Sequence, residues 1–76
     1  MAQQHIKNAI IQLDQNIKSK RGKSIWNCYC IKVYSDGKHA YSNRREYLFL
    51  NENYRQKILT EAELSDLLNF NGWEII

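Results

Sequence analysis

The sequence predicts a small α+β domain of order α-β-β-β-α, an antiparallel sheet with two helices packed on one face and room for a short final strand. Three stretches carry that expectation. Between Ser24 and Leu50, two runs rich in β-branched and aromatic residues flank Asp36-Gly37, the strongest short-range pattern for a β-hairpin. Before them, Ile6, Ile10, Leu13 and Ile17 recur at spacings of four, three and four. After them, Thr60-Glu61-Ala62-Glu63 has the form of a helix-capping box.

The N-terminal spacing places one apolar stripe on a helix from about Gln4 to Lys20, with Ala9 beside it and Gln3, Gln4, Lys7, Gln12, Gln15 and Asn16 mostly on the other face. Lys18 and Lys20 would complement the negative end of its dipole, and Gly22 would stop it.

The hairpin that follows has two candidate registers. A two-residue turn at Asp36-Gly37 pairs Ser35 with Lys38 and gives Trp26, Cys28 and Cys30 one face with Tyr41, Tyr47 and Phe49. A three-residue loop pairs Tyr34 with Lys38. It then groups Trp26, Cys28 and Cys30 with Ala40, Ser42, Leu48 and Leu50, because a one-residue slip moves every side chain to the other face. The second register is preferred, since small Ala40 and Ser42 leave room for helices. Its opposite face then carries Ile25, Tyr29, Ile31, Val33, Tyr41, Arg45, Tyr47 and Phe49.

Asn51-Glu52-Asn53 reads as a turn, and Tyr54 to Leu59 as an edge strand solvated by Arg55, Gln56 and Lys57. Thr60 then caps a second helix through the Glu63 N–H. Leu59 and Leu64 form a hydrophobic staple, Leu64, Leu67 and Leu68 the buried stripe, and Asn71-Gly72 a Schellman-type stop that folds Trp73 back onto Leu68. Trp73 to Ile76 can add the final strand.

With 76 residues the chain is a single domain, 1–76, near the lower limit for a self-sufficient core. An apolar fraction of 43% and a charged fraction of 25% exclude a disordered tail. The apolar runs are too short to span a bilayer, and Met1-Ala2-Gln3-Gln4 lacks a signal-peptide pattern, so the expected location is cytoplasmic. Cys28 and Cys30, read as neighbours on one strand face with Cα atoms roughly 6.5–7 Å apart, are poorly placed for a disulfide and fit a reducing compartment.

Cys28-x-Cys30 with His39 lacks the second ligand pair that zinc wants, so neither a metal nor a cofactor is expected. Cys28 or Cys30, His39 and Asp36 or Glu46 would lie along one exposed ribbon without a sheltering cleft, so no catalytic residues are assigned and the chain is read as a non-enzyme.

The element order resembles that of the double-stranded-RNA-binding domains. Ser35-Asp36-Gly37-Lys38-His39 stands where that family has a Gly-Pro-x-His-like loop, without the proline. Thr60-Glu61-Ala62-Glu63 stands where it has a lysine-rich helix start, with the charge reversed. The resemblance is therefore one of topology.

Function is expected to be binding. Tyr29, Ile31, Val33, Tyr41, Arg45, Tyr47 and Phe49 would form a protein interface on the open sheet face of a self-associating regulator, adaptor or inhibitor. The alternative is RNA or DNA binding through Lys18, Lys20, Arg21, Lys23, Arg44 and Arg45, with a net charge of +3 and interleaved tyrosines in support. Neither a membrane nor a small-molecule substrate is expected.

Overall fold

A computed structural model describes residues 9–34 and 44–76, with side chains described for 9–33 and 45–76. The chain forms β1 (Asn16–Ser19), β2 (Trp26–Tyr34), β3 (Arg44–Leu50), β4 (Gln56–Thr60), α1 (Glu61–Phe70) and β5 (Trp73–Ile75). The five strands make one antiparallel sheet of order β4-β3-β2-β1-β5. The domain is thus α+β, with one helix among the described residues.

The expected helix from Gln4 to Lys20 does not form over residues 9–20. Asp14 takes a left-handed backbone with φ of 67°, and residues 16–19 pair as β1 with both β2 and β5. The i,i+3/i+4 spacing misled because an irregular segment can bury isoleucines equally well. Ile11 and Ile17 are fully buried, one ahead of the Asp14 turn and one on β1. Gln15 accepts the Gln12 N–H through its side chain at 2.7 Å, and Asp14 donates its N–H to the Cys28 carbonyl at 2.8 Å, so the turn is tied directly to β2. With β1 in place of a helix, the α-β-β-β-α order falls, and with it the topological likeness to double-stranded-RNA-binding domains.

The β2–β3 ladder pairs Tyr34 with Arg44 and Ile31 with Tyr47, which matches neither expected hairpin register. The turn residues themselves, with Tyr41 and His39, lie outside the described residues. Between Cys28↔Phe49 and Cys30↔Leu48 the register shifts, leaving Tyr29 as the extra residue of a β-bulge. Phe49 and Leu48 are consecutive and point to opposite faces, so Cys28 and Cys30 do too. The expectation that the two thiols share a face is corrected accordingly: Cys28 is fully buried and Cys30 is half-buried on the other side.

The C-terminal half forms as its local signals dictate. β4 is an edge strand. The Thr60 hydroxyl accepts the Glu63 N–H at 3.2 Å while the Glu63 carboxylate accepts the Thr60 N–H at 3.0 Å, a complete capping box. Leu59 and Leu64 on either side of it are buried. Asn71 donates its N–H to the Leu67 carbonyl, and Gly72 follows at φ of 75°, where glycine avoids the Cβ clash. Trp73 then opens β5 opposite Ser19 instead of ending the helix motif, and packs on the same core as Leu68.

The connection β4-α1-β5 joins the two edges of the sheet. Four interstrand spacings of about 4.8 Å separate those edges, and a ten-residue helix is about 15 Å long, so α1 laid across one face nearly bridges them. Under it and the segment from Ala9 to Leu13 sits the core of Ile11, Ile17, Cys28, Tyr47, Phe49, Leu59 and Leu64.

Candidate interaction surface

Strand register assigns side chains to the two faces without ambiguity, because antiparallel partners share a face. The helix-covered face carries Ile17, Trp26, Cys28, Ile31, Tyr47, Phe49 and Leu59. The opposite face carries the row Cys30↔Leu48↔Ile58, with Leu50 beside it. Tyr29, thrown out by the bulge, joins this second face, where its hydroxyl accepts a hydrogen bond from Gln56 Nε2 at 2.6 Å. Leu48 at the centre is only 5% exposed, whereas Ile58 and Tyr29 beside it are 50% and 40% exposed. Around this apolar strip the same face presents Lys32 opposite Glu46, Lys18 opposite Glu74, and Asn16 opposite Asn27. An apolar centre with a polar rim of both signs is the layout of a protein interface.

The expected interface residues divide between the two sides. Tyr29 lies on the exposed face. Tyr47 and Phe49 are 0% exposed and belong to the core, so they cannot meet a partner; the bulge sends them under α1. Ile31 packs against the same core, and Val33, 47% exposed, is on the helix side of the sheet toward the end of β2. Arg45 also projects to the helix side, with its Nη1 3.7 Å from the Glu61 carboxylate and its side chain 15% exposed.

Tyr47 holds three elements together. Its hydroxyl accepts the Ile10 N–H at 3.1 Å and donates to the Glu61 carboxylate at 2.7 Å. Burial, then the hydrogen bond to Glu61, pushes its pKa up to about 12. Burial likewise raises the Cys28 thiol to about 11, and that thiol donates to the Cys30 carbonyl at 3.8 Å. This is the environment of a core cysteine rather than of a nucleophile.

The basic residues of the nucleic-acid alternative are separated as well. Lys18, Lys20, Arg21 and Lys23 cluster on and after β1, ahead of the Trp26 end of β2, whereas Arg44 and Arg45 begin β3 opposite the far end of β2. Seven residues of strand put the two groups roughly 20 Å apart. The Lys57 ammonium lies 5.0 Å from the centroid of Trp26 and 5.7 Å from that of Trp73, so this lysine caps two indoles at the end of the sheet nearer the basic turn.

Sequence reasoning did not place Cys30, Leu48, Leu50 and Ile58 on the face opposite the helix. The signal that would have found them is the bulge at Tyr29, which reverses the inside-outside alternation midway along β2. No group of three or more His, Cys, Asp or Glu side chains converges as a metal site among the described residues. None of the described helices is long and apolar enough to cross a membrane.

Comparison with protein-family models, with curated proteins and with solved structures gave no match.

Proposed function

We propose that this chain is a small non-catalytic binding protein that covers a protein surface with the sheet face opposite α1, and that it self-associates through that face. The supporting observation is the apolar row Cys30–Leu48–Ile58, extended by Tyr29 and Leu50, on a face with no described element packed on it. A two-fold dimer requires a self-complementary patch. Paired Lys32 and Glu46 on one side of the row, and paired Lys18 and Glu74 on the other, give that patch both charge signs, so two copies can meet without like charges facing each other. Association would also bury the exposed apolar surface of Ile58 and Tyr29. A regulator, adaptor or inhibitor that acts by occupancy fits this arrangement, and two free thiols suit a reducing compartment such as the cytoplasm.

Sedimentation velocity at micromolar concentration tests the reading. A dimer that Ile58→Glu converts to a folded monomer supports it. A monomeric wild-type protein indifferent to that substitution overturns the self-association.

A further inference from the structure

A second surface lies at the end of α1, away from the apolar row. Ser19, Lys20, Arg21, Phe70, Asn71 and Gly72 line one open groove, closed at its base by the hydrogen bond from Lys20 N–H to the Gly72 carbonyl at 3.0 Å. Two features of this groove are independent of each other. Phe70, the last residue of α1, is 80% exposed, against 0–8% for the core residues. The turn facing it supplies Lys20 and Arg21, followed closely by Lys23, without an acid among residues 20–23.

The acids nearby do not cancel that charge. Glu74 stands opposite Lys18 in the ladder, and Glu52 is engaged at 3.2 Å with the Ile25 N–H. Asp66 sits one helical turn before Phe70. Lys18 Nζ donates to the Ser19 carbonyl, while Lys20, Arg21 and Lys23 are exposed side chains.

We propose that this groove binds single-stranded nucleic acid, with a base stacked on Phe70 and flanking phosphates held by Lys20 and Arg21. The chemistry matches both features. An exposed ring offers a sequence-tolerant stacking platform, and adjacent flexible cations neutralise the backbone on either side of the stacked base. A run of acidic side chains would use the cations but places no ring on Phe70, and a membrane surface would want apolar residues beside Phe70, where Ser19, Asn71 and Gly72 stand. The groove shares no residue with the apolar row, so this inference stands or falls apart from the protein interface.

The test is fluorescence anisotropy of the intact chain with a fluorescein-labelled oligo(dT) and the matching oligo(rU), as a function of salt, with poly-glutamate as a non-stacking polyanion. The expected result is binding that weakens as salt rises and exceeds that of poly-glutamate. Phe70→Ala should lower affinity roughly 5- to 150-fold with the salt slope unchanged. Replacing Lys20 and Arg21 by Gln should reduce the slope by about 1.4, roughly 0.7 for each phosphate that is no longer neutralised. Phe70 ends its helix and is exposed, and unchanged circular dichroism of that variant confirms that the fold is retained. No binding at low salt, binding indifferent to Phe70→Ala, or equal affinity for poly-glutamate would each overturn the proposal.

Discussion

Removing the Tyr47 hydroxyl is the sharpest probe of how the domain is held together. Tyr47→Phe keeps the ring that fills the core and deletes one oxygen, so no cavity opens and the effect reports the hydrogen bonds alone. Two bonds disappear. The one donated to the Glu61 carboxylate belongs to the charged class, worth about 1.5–3 kcal/mol when buried. Glu61 is 37% exposed, and water regained there reduces the loss to about 1 kcal/mol. The second leaves the half-buried Ile10 N–H without its acceptor, adding about 0.5–1 kcal/mol. A total of about 1.5–2 kcal/mol corresponds to a melting temperature lower by roughly 6–16 °C for a domain of this size. Urea titration followed by tryptophan fluorescence would show a lower midpoint at constant slope. Glu61→Gln, which preserves an acceptor, should cost less than half as much. A loss below about 0.5 kcal/mol for Tyr47→Phe would refute the view that this hydroxyl ties the N-terminal segment and α1 to β3.

Three further outcomes follow from the same structure. Tyr47 is raised from 10 to about 12 and Cys28 from 9 to about 11, so both are held protonated in the folded state. Their stabilisation is complete below pH 9 and is lost as pH rises, from 9 to 11 for Cys28 and from 10 to 12 for Tyr47, at up to about 1.4 kcal/mol per pH unit for each proton; the upper part should vanish in Tyr47→Phe. Thr60→Ala removes one half of the capping box and should cost roughly 1 kcal/mol in the urea midpoint, whereas Thr60→Ser should be nearly neutral. Thiol labelling of the Ile58→Glu protein, in which the open sheet face is left uncovered, should modify half-buried Cys30 well before buried Cys28; equal rates would show that the bulge does not separate them.

What could be read directly from the chain was whatever a few neighbouring residues decide. The capping box, the Leu59/Leu64 staple, the turn at Asn51 and the stop at Gly72 each depend on groups close together in the chain, and all formed. The Asn51 side-chain oxygen, for example, accepts both the Asn53 and Arg55 N–H groups at 2.9 Å, and so directs the chain from β3 into β4. The N-terminal stripe was misread because isoleucine spacing alone does not separate a helix from an irregular segment followed by a strand. Asp14-Gln15-Asn16, a turn-forming triplet, was the neglected warning. The two faces of the sheet were misassigned for a different reason. Neither candidate hairpin register gives the observed pairing, but the face grouping of each holds along half of β2: Trp26 and Cys28 share a face with Tyr47 and Phe49, while Cys30 shares one with Leu48. A single inserted residue reconciles them, and its place depends on pairing with a distant strand. For the same reason Tyr47→Glu, a natural choice for probing an interface at that position, would instead bury a second carboxylate beside Glu61 and unfold the domain.

Ile58→Glu is the decisive probe of the protein-binding surface proposed on the face bearing Cys30, Leu48 and Ile58. Ile58 is 50% exposed on an edge strand, so the substitution should leave the fold of each chain intact, which circular dichroism checks. Sedimentation velocity of the two proteins side by side at micromolar concentration is the measurement. A wild-type dimer and an Ile58→Glu monomer with an intact fold are expected, and the same sedimentation coefficient for both would overturn the proposed surface.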